Sequence, residues 1–281
     1  MNKSLSRWGW LFAGPTVLAF TIGFVIPFVL GVYLSFTRFR IITDAQFVGF
    51  SNYITLWNDE IFRHSFWYTA VFAVITTIIV NVAGFFLAYM LIKAIRGRNL
   101  FRSTFFMPNL IGGIILGYIW LVLLNGVLDI WGKNVVYSAN YALWSLIIVT
   151  AWQQIGYMMV IYIAGLQSIP TDVLEAAKVD GANGRQSLRQ VILPLVMPSI
   201  TVCTFLTLTN GFRMFDQNLA LTNGAPSRMS EMLALNIYNT FYGRPGFEGV
   251  GQAKAVVFLI LVATVVMIQN RFVRSKEHVD D

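Results

Sequence analysis

The residues best equipped for chemistry gather in two places. Trp152, Gln153, Gln154 and Tyr157 sit in the middle of one apolar run. Thr207, Thr209, Asn210, Phe212, Arg213, Phe215 and Asp216 close another. Amides, hydroxyls and one charge of each sign, interleaved with aromatic rings, suit a hydroxyl-rich ligand. Rings cover the apolar faces of a sugar while amides and charges hold its hydroxyls. Any one of these residues has an ordinary use as an interhelical hydrogen bond or an interfacial aromatic. The clustering is what points to a substrate path. Covalent catalysis is not indicated: no Gly-x-x-x-x-Gly-Lys-Ser/Thr, His-Glu-x-x-His, Gly-x-Ser-x-Gly or Cys-x-x-Cys string occurs. His64 and His278 are far apart and Cys203 is the single cysteine. Neither a metal cluster nor an internal disulfide is expected, and Cys203 reads as a buried, inert thiol.

A second polar stretch has a different character. Residues 168–198, SIPTDVLEAAKVDGANGRQSLRQVILPLVMP, read as two helices around a glycine corner. Pro170 disfavours the helical conformation at Ile169, so the preceding helix stops there. Thr171 reads as an N-cap, with Asp172 and Glu175 near the positive end of the helix dipole. Val173, Ala176, Ala177 and Asp180 share one face, and the two alanines leave room for another surface to come close. Gly181 stands where a helix ends in the left-handed conformation. Asn183 and Gln186 have capping-box spacing. Leu188, Val191, Ile192 and Leu195 form the apolar stripe of the second helix, with Arg185 and Arg189 one turn apart.

The elements that position these groups are membrane helices. The 281 residues are 57% hydrophobic and only 12% charged, with a mean hydropathy of +0.66. Soluble domains carry roughly 25% charged residues. The expected fold is all-α, a polytopic membrane protein with six transmembrane helices of about 20 residues or more each. The spans are drawn at residues 8–36, 65–92, 104–124, 140–166, 191–212 and 252–272, in one transmembrane domain over 1–281. Residues 168–190 form the helix-corner-helix loop. The first span follows Lys3 and Arg7 and is too long for a signal-peptide core, so it reads as uncleaved. Between it and the second span, Tyr53 and Trp57 read as headgroup-level aromatics on a short helix. Gly112, Gly113 and Gly117 give the third span a small face for close packing. Charged groups are essentially missing at mid-depth, which argues against proton or sodium coupling and for an external motor.

Basic residues set the orientation. Lys3, Arg7, Lys93, Arg96, Arg98, Arg102, Lys178, Arg185, Arg189, Arg271, Arg274 and Lys276 fall on one side, twelve of the 20 in the chain. The positive-inside rule puts both termini and the 168–190 loop in the cytoplasm. The net charge of +7 reads as topology and anionic-lipid contact, with no nucleic acid implied, because the basic residues lie at span ends.

Glu175-Ala176-Ala177, Asp180-Gly181-Ala182, Leu188, Leu193-Pro194 and Pro198 together resemble the "EAA" coupling loop of ABC importer permeases. Phe47-Val-Gly49-Phe-Ser-Asn52-Tyr53 resembles the segment after the first span of sugar permeases. Gly211-Phe-Arg213-Met-Phe215-Asp216 with Leu221-Thr-Asn-Gly224-Ala-Pro226 resembles the segment that ends their fifth span. The chain departs from the family in having Leu188 where Phe is frequent, Arg213 where Lys is common, and Gly224-Ala225-Pro226 where Gly-Gly-Pro is common. The resemblance covers nearly the whole chain and is to permease subunits of carbohydrate uptake systems for oligosaccharides, lactose or glycerol-3-phosphate.

It implies a multi-pass transport subunit of the cytoplasmic membrane without an ATPase site of its own, importing a carbohydrate by alternating access. The implied partners are a second homologous permease, two cytoplasmic ATPase subunits, an extracytoplasmic solute-binding protein, membrane lipid and the carbohydrate. No cofactor is expected on this chain; ATP and Mg belong to the ATPase partners. Glu175, Ala176, Ala177, Asp180, Gly181, Ala182, Arg185 and Arg189 would couple to the ATPase. Trp152, Gln153, Tyr157, Asn210, Phe212, Arg213, Phe215 and Asp216 would line the substrate path. A permease for glycerol-3-phosphate or a polyol, and a carrier working without an ATPase, are the alternatives.

Overall fold

A computed structural model describes residues 13–92 and 97–277. The start of the first drawn span at Trp8, and Lys3, Arg7, Lys93, Arg96 and His278, lie outside the described residues. Arg274 and Lys276 lie on the last helix, but their side chains are outside the description.

Helices account for nearly everything. They are α1 (Ala13–Leu34), α2 (Ser51–Asn58), α3 (Glu60–Leu91), α4 (Arg98–Phe106), α5 (Gly113–Leu128), α6 (Ala139–Gln167), α7 (Thr171–Val179), α8 (Gly184–Leu195), α9 (Met197–Phe212), α10 (Asp216–Leu221), α11 (Leu233–Gly243) and α12 (Glu248–Glu277). One small antiparallel pair, β1 (Thr37–Arg38) with β2 (Gln46–Phe47), breaks the all-helical expectation locally. Among the described residues five helices are long and apolar enough to cross a membrane, and the bent pair α8 and α9 makes a sixth.

The helices pack as two units. Among the described residues, one uses 13–60 and 237–261, the other 61–92, 97–236 and 262–277. In the first unit, buried Asn52 donates to the Ser35 carbonyl at 2.9 Å and to the Thr37 carbonyl at 2.8 Å. Those carbonyls follow α1, where helical partners run out, so Asn52 satisfies them. Gly49 makes the turn before α2 at φ +60°. Together these contacts account for the 47–53 string. Lys254 of α12 is fully buried and pairs with Asp59 at 2.7 Å and Thr240 at 2.9 Å. Such a charge is tolerated only because it is paired.

In the second unit α6 is the hub. A hydrophobic cluster joins it to α3, α8 and α9 through Val80, Phe85, Met158, Met159, Ile163, Ile192, Val196 and Cys203. Within it Tyr162 donates to Asn81 Oδ1 at 2.6 Å, and Asn81 Nδ2 donates to Thr207 Oγ1 at 2.8 Å, linking three helices. Gly156 lets the α4 backbone at Phe105 lie directly against α6, and Gly211 does the same for α3 at Ala73.

Two spans differ from the drawing. The third is broken. α4 tightens into a 3₁₀ turn over Met107–Leu110, Ile111 and Gly112 are extended, and α5 starts afresh. Pro108 and the glycines at 112 and 113 supply the reasons: a missing donor and a flexible backbone. The fifth bends by 68° between α8 and α9. Pro194 and Pro198 each remove a ladder donor, Ser187–Ile192 is π-helical, and Val196 sits at φ −90°, ψ 0°. The loop from 213 to 251 contains α10, α11 and the start of α12.

Candidate functional site

The corner at residues 168–190 stands away from the core. α7 buries none of its residues completely and packs on the main cluster only through Leu174; before it Ile169, and after it Leu188, Ile192 and Leu193 of α8, make the contacts with that cluster. Its end is a full Schellman motif. Ala182 N–H donates to the Ala177 carbonyl at 3.0 Å, Gly181 N–H donates to the Lys178 carbonyl at 3.1 Å, and Gly181 has φ +79°. The capping box forms as spaced: Asn183 Oδ1 accepts from Arg185 N at 3.1 Å and Gln186 N at 3.0 Å, while Asn183 N–H donates to Gln186 Oε1 at 2.9 Å. The N-terminus corrects the sequence reading. Pro170 holds the cap position with extended backbone, and Thr171 is the first helical residue without a side-chain capping bond. Proline fits there because the helix requires no donor from it.

Glu175, Ala176, Asp180, Gly181, Arg185 and Arg189 are exposed; Ala177 and Ala182 are half-buried. Leu195, read as part of the apolar stripe, faces outward, and Leu193 and Val196 pack inward in its place. The π-helical turn shifts the register: its wider turn carries later side chains past the position a 3.6-residue period gives them.

The polar cluster resolves into a cleft and its supports. The cleft has a volume of about 340 Å³ and is lined by Gln154, Asn210, Arg213, Met214, Phe215, Asp216 and Gln217. That size lies at the small end of ligand sites, about 300–1,000 Å³. α6 supplies Gln154, the end of α9 supplies Asn210 and its C-cap Arg213, and α10 supplies Asp216 and Gln217. An arginine suits that place, next to the negative end of the α9 dipole. Gln154 is 7% exposed and its Oε1 has no hydrogen-bond partner. A buried acceptor of this kind carries a desolvation cost unless a ligand or water meets it.

Asn210, Arg213, Phe215 and Asp216 are thus brought together, and Trp152, Gln153, Tyr157 and Phe212 stand elsewhere. Trp152 packs edge-on against Trp120 at 5.4 Å, and Tyr157 leans on Phe106. Phe212 is buried. Gln153 spends both ends of its amide on neighbours, donating to the Ile111 carbonyl and accepting from Gln217. Gln217 and Met214 are lining residues that the sequence reading left out. The run Asp216-Gln217-Asn218, three polar residues after an apolar span, was the available signal. Asn218 itself is internal: it accepts from Met232 N–H and donates to Thr222 Oγ1 and the Ser230 carbonyl.

Residues 80–278 match the family described as "Binding-protein-dependent transport system inner membrane component". The chain is 44% identical to the probable starch degradation products transport system permease protein AmyD of Thermoanaerobacterium thermosulfurigenes, covering 96% of this chain and 95% of that protein. It is 30% identical to the multiple sugar-binding transport system permease protein MsmF of Streptococcus mutans, with 99% of each covered. It is 28% identical to the sn-glycerol-3-phosphate transport system permease protein UgpA of Agrobacterium fabrum, over 96% of this chain and 95% of that one. Its fold matches a chain in the crystal structure of a bacterial ABC transporter involved in the import of the acidic polysaccharide alginate. The TM-score is 0.83 at 20% identity, covering 97% of this chain and 98% of that chain.

Proposed function

This chain belongs to the family of binding-protein-dependent transport system inner membrane components, and from that premise we propose that it is the multi-pass permease subunit of an ATP-driven importer for oligosaccharides. The relatives named for starch degradation products and for multiple sugars support the substrate class. In this reading the chain pairs with a second permease, two ATPases grip the permeases from the cytoplasm, and a solute-binding protein delivers the sugar from outside. ATP and Mg are used by the ATPase subunits. Both termini and the α7–α8 corner face the cytoplasm, in keeping with the distribution of basic residues.

One observation carries the mechanism. The exposed corner is spliced between α6 and α9, and those two helices both supply walls of the polar cleft. A force on the corner therefore reaches Gln154 through α6 and reaches Asn210 and Arg213 through α8 and α9. Closure of the ATPase dimer would draw the corners of the two permeases together and open the cleft to the outside. Opening of the dimer would reverse this. The exposed face of Glu175, Ala176, Asp180, Arg185 and Arg189 is the surface for the ATPase, narrow enough at Ala176 to enter a groove.

A phosphate ester is the second reading, supported by the glycerol-3-phosphate relative and by Arg213. Asp216 lines the same cleft and opposes an anion there, which favours the neutral sugar. The test is uptake of labelled maltotriose and of labelled glycerol-3-phosphate by the assembled complex in proteoliposomes, with ATP inside. ATP-dependent maltotriose uptake is expected. Uptake of the phosphate ester alone would move the substrate class, and transport by this chain without any ATPase would sink the ABC mechanism.

A further inference from the structure

Gln153 stands among the residues of the substrate path in the sequence, yet it is not one of the residues that line the cleft. Its Nε2 donates to the Ile111 carbonyl at 2.9 Å, and its Oε1 accepts from Gln217 Nε2 at 2.6 Å. Ile111 is half-buried in the extended break of the third span, outside the ladders of α4 and α5, so its carbonyl takes its hydrogen bond from a side chain. Gln217 is the other end of the relay and lines the cleft beside Asp216. A second contact, from α5, also fixes α10. A Cβ at Gly113 would stand 2.7 Å from Asp216 Cβ and 3.0 Å from Gln217 Oε1, and one at Gly117 would stand 2.6 Å from Ala220 Cβ. The α5 backbone therefore seats α10 with no space for one added carbon. The middle of α10 is tied separately through Asn218. At the cleft end, the relay is the polar tie.

We infer that Gln153 is a positioning residue for the cleft: its amide clamps the break in the third span to α10 and holds Asp216 and Gln217 at the wall that Gln154 faces from α6. The inference rests on the proposed transport function for its meaning. Its geometric content does not depend on which solute moves. Within it the neighbouring glutamines divide the work, Gln154 toward the ligand and Gln153 toward the scaffold. The broken span becomes part of the site, because a shift at Ile111 is passed to Asp216 through two hydrogen bonds.

The test uses the assembled complex in two assays. The first measures maleimide labelling of Asp216→Cys in a Cys203→Ser background. Gln153→Met and Gln217→Met, each unbranched and of similar length, should change the labelling rate severalfold. The double variant should change it no further, since either single cuts the same relay. Gly113→Ala, which crowds Asp216 and the Gln217 amide directly, should also change it and serves if Gln153→Met fails to assemble. The second assay measures maltotriose moved per ATP hydrolysed. Gln153→Met removes both hydrogen bonds of the relay and should lower that ratio by at least about tenfold, the scale of losing even one of them. ATP hydrolysis stimulated by the loaded binding protein should stay near wild type; a merely structural lesion would lower both together. Unchanged labelling in all three variants, or effects of Gln153→Met and Gln217→Met that simply add, would overturn the inference even with transport intact. A complex that moves no maltotriose but shows the coupled labelling would refute the transport reading alone.

Discussion

Gly181 offers a clean perturbation, because its role is conformational and local. Its φ is +79°, and a Cβ built there meets nothing within 4 Å. A side chain at this position therefore costs backbone strain without a clash. Left-handed backbone costs an ordinary residue roughly 1–2 kcal/mol, and asparagine less. If the strained residue flips, the Schellman bonds from Ala182 to Ala177 and from Gly181 to Lys178 are lost with it. A penalty of about 1.4 kcal/mol makes the correctly bent corner tenfold rarer relative to alternatives. Coupling should fall in the order glycine, Gly181→Asn, Gly181→Ala, Gly181→Val, the last slowest because its β-branch fits this conformation worst. Gly181→Asp, which adds a charge at the docking face, should also lower uptake. Since the corner buries little, membrane abundance and melting temperature should barely move. The assay is uptake and binding-protein-stimulated ATP hydrolysis per permease, with abundance measured by quantitative blot. Wild-type coupling in Gly181→Val, or losses that follow abundance in every variant, would refute the reasoning.

Asn183→Ala removes both cap bonds of α8 and should cost about 1 kcal/mol of local helix stability; ATPase cross-linking from Ala177→Cys should weaken severalfold with the protein still assembled. Lys254→Met leaves Asp59 without its buried partner and should destabilise the protein by about 3–5 kcal/mol. Lys254→Met with Asp59→Leu should recover much of that, read as melting temperature in detergent. Gly156→Ala drives a carbon into the Phe105 backbone and should sharply lower folded yield, while Gly126→Ala, with nothing within 4 Å, should be silent; size-exclusion profiles separate the two outcomes. Gln154→Leu removes the unpartnered acceptor from the cleft and should reduce sugar moved per ATP without lowering thermal stability.

What could be read from the sequence was what local chemistry decides. The helix end at Gly181 and the box of Asn183 and Gln186 depend on a few neighbouring residues, and they formed as spaced. So did the long apolar helices α3, α6 and α12, whose composition admits little else. Features decided by distant partners were not legible. Pro108 and the glycines at 112 and 113 stand at the break, but that Ile111 is met there by Gln153, 42 residues away, is not written locally. Lys254 lies at the start of the last span as drawn, and its partner Asp59 is 195 residues distant. Thr171 lost the cap position to Pro170, a shift of one residue that propensity alone does not resolve. Gln153 and Gln154 illustrate the limit for the site. Adjacent helical residues point about 100° apart, so one meets the cleft and the other meets α10, and only the packing tells which.

The 68° bend at Val196 decides what kind of motion the bilayer has to absorb. With α8 and α9 closer to perpendicular than collinear, a thrust along α8 reaches α9 chiefly as a sideways tilt. Tilting leaves each residue near its own depth in the hydrocarbon, whereas a piston stroke would drag polar ends through it. The elbow thus lets a helix without charged residues swing like a door, and the surrounding lipid resists it little.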